Sequence, residues 1–224
     1  MSRLIEKEIM DDPEQCLQYL KFNKINLIDF FYNKINHHFK DNQLTIFSFG
    51  SGTCEYESKI ASSQNLVSID AYEASREMNK LAKAVISLNN VEDKINLKEV
   101  LIEENTEIEK KYNFFICVNT LHQLQNPTVL WNTLKKACLP NSKFFILDLL
   151  REEDDLKIDQ IIEIHAKDAG ELFKGDFRAS LKAAFTKEEI IEQLSNSGIE
   201  ASVETINAKN SELKIIFIEG QYGI

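Results

Sequence analysis

Two hydrophobic rhythms alternate along this chain. Short runs that are wholly apolar, or that alternate apolar with polar, mark strands; apolar residues recurring every three to four positions mark helices. Asp12-Pro13, with Gln15 three residues after the aspartate, predicts a helix start. Leu27, Ile28, Phe31, Tyr32 and Ile35 share one face of a second helix. The first strand, Leu44 to Phe49, runs into the small-residue turn Gly50-Ser51-Gly52-Thr53, and a short helix follows through Lys59 and Ala61. A second strand is expected at Leu66 to Ile69, with Asp70 at its end, and then a helix carrying Met78, Leu81, Ala82 and Val85. Ile95 to Leu101 and Phe114 to Val118 read as the third and fourth strands; the latter is apolar throughout, as expected for a strand covered on both faces.

Asn126-Pro127 predicts another helix start, with Asn126 as N-cap and Val129, Leu130, Leu134 and Ala137 as the buried stripe. Pro140 stops that helix, and Lys143 to Leu149 is the fifth strand. Thr186 with Glu189 forms a capping box ahead of Ile190, Ile191 and Leu194, and Gly198 ends the helix. Ala201 to Ile206 and Leu213 to Glu219 are two closing strands. The repeated strand–helix order calls for an α/β fold with a mostly parallel sheet and helices on both faces. Ligands of such sheets lie beyond the carboxyl ends of the strands, at the switch point.

Composition narrows the class. The 224 residues suffice for one large core, and three prolines and seven glycines mark no linker. One domain over 1–224 is expected, with a helical cap at 1–40 and a helical insertion at 152–185. A net charge of −10 argues against nucleic acid as partner. No run approaches the roughly 20 apolar residues of a membrane span, and Met1 to Asp12 lacks the apolar core of a signal peptide. The four cysteines are scattered without a C-x-x-C pair, which suggests neither a disulfide frame nor a metal site and fits a reducing cytoplasm.

The chemistry points to the end of the first strand. Gly50 and Gly52 permit a tight turn and close backbone approach to a ligand. Asp70, twenty residues after Gly50, supplies a carboxylate that can accept from both hydroxyls of a ribose. Glu55 stands where a dinucleotide motif needs its third glycine, and its charge at a helix start repels a pyrophosphate. That disfavours a nucleotide-dependent oxidoreductase. Cys54, at the same helix start, is read as a packing residue ahead of a thiol of lowered pKa. His122, in the loop after the fourth strand, is a candidate general base or a histidine that caps or lines the loop. His165 shares a helical face with Ile158, Ile161, Ile162, Ala169, Leu172 and Phe173, which suits a core or pocket wall. Arg178 and Lys182, opposite the apolar face of the insertion, read either as solvated surface cations, the commoner outcome, or as groups that meet an anionic substrate. His37 and His38 read as exposed neighbours.

Several of these segments together resemble class I S-adenosylmethionine-dependent methyltransferases. Ile46 to Thr53 resembles the family's first motif, Val67 to Asp70 its acidic second motif, Phe114 to Leu124 the fourth strand and its loop, and Leu134 to Leu149 the helix, turn and fifth strand. The resemblance implies a Rossmann-like, doubly wound sheet of seven strands, mostly parallel with an antiparallel last strand. It implies S-adenosylmethionine as cofactor and direct in-line methyl transfer to a small-molecule acceptor. Carried over by position, Gly50, Ser51 and Gly52 would border the methionine arm, Asp70 the ribose, and Ala71, Leu101 and Ile102 the adenine. Asn119 would present its backbone to the amino group, with His122 as base and His165 and Arg178 toward the acceptor. The chain departs from the pattern at Ser48, where the family has an acid, and at Cys54, where it has a glycine. The alternative those departures raise is a methyltransferase-like binding or regulatory module without catalysis.

Overall fold

The computed structural model describes residues 3–6, 9–22, 27–39, 43–208 and 211–223; parts of the helical cap at 1–40 lie outside them. Seven strands form one sheet: β1 (Leu44–Phe49), β2 (Val67–Glu73), β3 (Ile95–Glu99), β4 (Tyr112–Val118), β5 (Cys138–Leu149), β6 (Ala201–Asn207) and β7 (Lys214–Gln221). Their order is β3-β2-β1-β4-β5-β7-β6. Neighbours from β3 to β5 pair parallel, and β7 runs antiparallel to both β5 and β6. This is the expected doubly wound sheet with its last strand reversed.

The strand periodicity of two explains the layering. Ile46, Phe114, Ile116, Phe145, Leu147, Ile215 and Phe217 face one core. The intervening Phe47, Phe49, Phe115, Cys117, Phe144, Ile146, Ile216 and Ile218 face the other. The first core is covered by α2 (Leu27–Ile35), α3 (Glu55–Ser63), α4 (Arg76–Leu88), α6 (Asp155–Ala166) and α7 (Glu171–Ala183). The second is covered by α5 (Thr128–Ala137) and α8 (Lys187–Asn196). No helix among the described residues is long and apolar enough to cross a membrane.

The helix starts follow the local chemistry. Asp12 Oδ1 accepts from Gln15 N at 2.9 Å ahead of α1 (Pro13–Phe22), but the Gln15 amide reaches across to Asp176 instead of closing a box. Thr186 and Glu189 do close theirs. Asn126 accepts from Thr128 N, with Pro127 in the cap position one residue later than expected.

Strand β2 requires the main correction. It continues through Ala71 and Tyr72 and stops at Glu73, because the next helix begins only at Ser75, whose hydroxyl accepts from Met78 N at 3.0 Å. Asp70 and Ala71 are therefore strand-interior residues. The acid and small residue at the strand's carboxyl end are Glu73 and Ala74, three positions on.

Candidate functional site

The sheet order reverses between β1 and β4, whose carboxyl ends splay over a crevice. Gly50 and Gly52 take φ of +64° and +53°, a region open to glycine at little steric cost. A Cβ on Gly50 would lie 2.4 Å from Thr120 Cγ2, so the β1 turn and the β4 loop touch there. Thr120 Oγ1 donates to Gly50 O at 3.0 Å, and Ser51 N donates to Tyr72 O at 3.0 Å, which ties the turn to both neighbouring strand ends. Cys54 sits at φ +58°, where the resembled family has glycine. Its thiol is wholly buried, and that burial pushes its pKa well up, as suits a packing residue.

This crevice holds a cavity of about 450 Å³. Gly50, Ser51, Gly52, Leu101, Ile102 and Asn119 all line it. Asp70 and Ala71 do not. Asp70 is buried, accepting from Tyr112 Oη at 2.7 Å, Asn96 Nδ2 at 2.8 Å and Lys110 Nζ at 3.1 Å. Burial alone would raise its pKa, but these hydrogen bonds and the lysine charge hold it below the ordinary aspartate value. Ala71 is fully enclosed in the sheet core. Their places in the cavity wall are taken by Glu73 and Ala74. Glu73 accepts from Gly52 N at 2.8 Å and Ser75 N at 2.7 Å, and burial raises its pKa despite those bonds.

Two electrostatic features define the cavity. Its wall carries Glu55, Glu57, Glu73, Glu103 and Glu104, and no lysine, arginine or histidine among the described residues. Ser51 Oγ, Glu57 Oε2 and Asn119 Oδ1 are buried there without hydrogen-bond partners. Buried polar atoms are ordinarily paired, so these three set the lining of this cavity apart from the rest of the interior.

A second cavity, of about 60 Å³, adjoins the first; Met10, Tyr19, Asn119 and Gln123 wall both. Its far side is built by His122, His165, Phe173, Phe177 and Ser180, so α6 and α7 of the insertion bound it. His122 is 4% exposed and does not line the larger cavity. Its Nδ1 lies 2.5 Å from Asp148 Oδ1, and Nε2 lies 3.8 Å from Glu6 Oε2. Burial would lower the imidazole pKa, but the charge and hydrogen bond of Asp148, with the charge of Glu6, raise it. His122 is thus a paired, buried group and not the free neutral imidazole expected of a loop histidine. His165 Nε2 is buried without a partner, and burial lowers its pKa.

The remaining candidates are placed elsewhere. Arg178 lines neither cavity; it pairs with Asp155 at 3.3 Å and with Asp159 on the surface of α6, and Lys182 pairs with Asp155 at 2.7 Å. Leu172 is 47% exposed, off the buried face assigned to it. His38 is half-buried, its ring 5.2 Å from that of Phe145. Among the described residues no cluster of three His, Cys, Asp or Glu side chains is arranged to hold a metal.

The segment before α1 straps this edge. The Arg3 guanidinium donates to the carbonyls of His122 (2.7 Å), Leu124 (2.7 Å) and Ala183 (2.9 Å), and lies 4.2 Å over the Phe185 ring. Met10 reaches both cavities, and Asp11 accepts from Ser75 Oγ and Glu77 N at the start of α4.

No protein-family model and no curated protein matches the chain. Solved structures do. A SAM-dependent methyltransferase from Aquifex aeolicus superposes with a TM-score of 0.67 at 16% identity, over 95% of this chain and 99% of its own. The plantazolicin methyltransferase BpumL, solved in complex with SAH, gives 0.65 at 14% identity, over 92% and 93%. The [4+2]-cyclase SpnF gives 0.64 at 10% identity, over 88% and 80%. At such identities the likeness establishes the fold, and the cyclase among the neighbours is a reminder that one fold hosts several chemistries.

Proposed function

We propose that this chain, which has the fold of SAM-dependent methyltransferases, binds S-adenosylmethionine in the larger cavity and transfers its methyl group to a small-molecule acceptor. The observation that carries the reading is the charge of the cavity: several carboxylates, no lysine, arginine or histidine among the described residues that line it, and a glycine turn at the switch point. A ligand bearing a sulfonium and an ammonium suits that wall. A pyrophosphate, which seeks cations and a helix N-terminus free of acids, does not.

In this reading Gly50, Ser51, Gly52 and Asn119 border the methionine arm, Glu73 accepts from the ribose hydroxyls, and Ala74, Leu101 and Ile102 flank the adenine. The cofactor supplies an electrophilic methyl on a good leaving group, so the protein's work is chiefly to align the acceptor and exclude water. The second cavity receives the reacting end of the acceptor beneath α6 and α7, a space suited to a small molecule and not to a polymer. His165 Nε2 offers the acceptor a hydrogen bond. His122 takes the acceptor's proton on Nε2, while Asp148 fixes the ring through Nδ1 and stabilises the resulting imidazolium. Because Asp148 raises the imidazole pKa, His122 is unprotonated only on the alkaline side of an ordinary histidine. The N-terminal strap and the insertion close the acceptor side.

A binding module without catalysis is the second reading, favoured by Ser48 and by the strained Cys54. Incubation with S-adenosylmethionine and a panel of small hydroxyl, amine and thiol compounds separates the two. The first reading expects acceptor-dependent release of S-adenosylhomocysteine with a methylated product. Tight binding of S-adenosylmethionine with no turnover on any acceptor would support the second.

A further inference from the structure

Ser48 is buried in β1 at the position where the resembled family carries an acid. Its hydroxyl donates to Glu57 Oε1, and Glu57 rises from the first turn of α3. The Glu57 side chain is 2% exposed, its Oε2 is buried without a partner, and the residue lines the larger cavity beside the glycine turn. A buried carboxyl with one oxygen unsatisfied is costly unless something completes it. No cation among the residues lining this cavity can do so.

We infer that Glu57, delivered from helix α3, is the carboxylate that receives the α-ammonium of the ligand's methionine arm, in place of the strand acid that Ser48 has replaced. The inference rests on the proposed function and adds the residue that selects a ligand with an amino-acid arm over a bare nucleoside. Two neighbouring residues fit it. Ser48 is small enough to leave room for the glutamate, and its single donor fixes Oε1 so that Oε2 remains for the ligand. The titratable groups around Glu57 are Cys54 and Glu55 at the start of its own helix, Glu73 on β2 and Cys117 on β4. None is cationic; burial first, with the charges of Glu55 and Glu73, pushes the Glu57 pKa up to about 7. An arriving ammonium favours the ionised form, so ligand binding at neutral pH releases a proton from Glu57.

The test is calorimetry on the full chain with two ligands: S-adenosylmethionine, and 5′-methylthioadenosine, which shares the nucleoside and sulfur but lacks the amino-acid arm. Glu57→Gln should weaken S-adenosylmethionine about tenfold or more, the scale of one charge-assisted contact, and leave methylthioadenosine unchanged. In the wild-type chain, affinity for S-adenosylmethionine should rise about tenfold from pH 5.5 to pH 7.5, with proton release, while that for methylthioadenosine stays flat. Equal losses for both ligands in the variant, or parallel pH profiles in the wild type, would overturn the inference while leaving the proposed cofactor in place. Failure of the wild type to bind either ligand would overturn both. The wild-type profile needs no variant, so the inference stays falsifiable if Glu57→Gln does not fold.

Discussion

Replacing Glu57 by glutamine should reshape the pH dependence of stability in the ligand-free protein. In the folded chain this carboxyl keeps its proton up to about pH 7, against an ordinary value of 4.5, because burial penalises the charged form more than the Ser48 hydrogen bond favours it. A pKa raised on folding contributes stability fully present below the unfolded value, and that contribution is lost as pH rises through the folded one. The interval from 4.5 to about 7, at about 1.36 kcal/mol per pH unit, comes to about 3 kcal/mol. Glutamine cannot ionise, so the variant escapes this loss. Its amide has an imperfect partner set in the same pocket, a cost on the order of 1–3 kcal/mol, but that cost does not change with pH. The observable is therefore a difference of differences. Urea unfolding of both proteins at pH 4 and pH 8 should show the variant gaining about 3 kcal/mol on the wild type between the two, with every other titrating group cancelling. A gap that stays constant within about 0.5 kcal/mol would mean that Glu57 ionises freely and that its burial is not as described.

Other consequences are equally direct. Asp70→Asn should destabilise the fold by about 2–3 kcal/mol, mainly through its buried contact with Tyr112, and leave S-adenosylmethionine affinity unchanged, whereas Glu73→Gln should weaken that affinity; the reverse pattern in calorimetry would restore Asp70 to the site. The His122 ring protons should titrate above an ordinary histidine by NMR and shift down in Asp148→Asn, where only the Glu6 charge is left to oppose burial. The raised pKa also means that the His122–Asp148 pair stabilises the fold most below about pH 6.5 and loses that contribution as pH climbs through the folded value, while turnover, which needs the unprotonated ring, climbs over the same range. Arg178→Ala removes only surface pairs and should change stability by less than about 1 kcal/mol with no effect on turnover; a large loss of turnover would return Arg178 to the acceptor site.

What the sequence revealed was what local patterns encode. Strand runs such as Phe114 to Val118, the glycine turn at Gly50 and Gly52, and the Thr186–Glu189 box each write their geometry into neighbouring residues; the strand–helix rhythm implies a mostly parallel sheet, while the reversed last strand is implied only by the resemblance to the methyltransferases. In the second strand Asp70 follows an apolar run and looks like its end, which places the strand-end acid three residues early. The signal that corrects it is Ser75, an N-cap with Met78 three residues on, which moves the strand's end to Glu73. Asp148 reaching His122 and Glu57 reaching Ser48 link separate elements, so no periodicity announces them. The carboxylate partners of Arg178 lie on α6, a neighbour only once the two helices pack, so local sequence does not show that its charge is already paired.

The central claim is that the acid-walled cavity at the end of β1 is a site for S-adenosylmethionine, and calorimetric titration of the wild-type chain with S-adenosylmethionine and with NAD tests it most directly. The expected result is one saturable site for S-adenosylmethionine, weakened by Glu73→Gln, and no measurable binding of NAD. Absence of S-adenosylmethionine binding, or NAD binding of comparable strength, would contradict it.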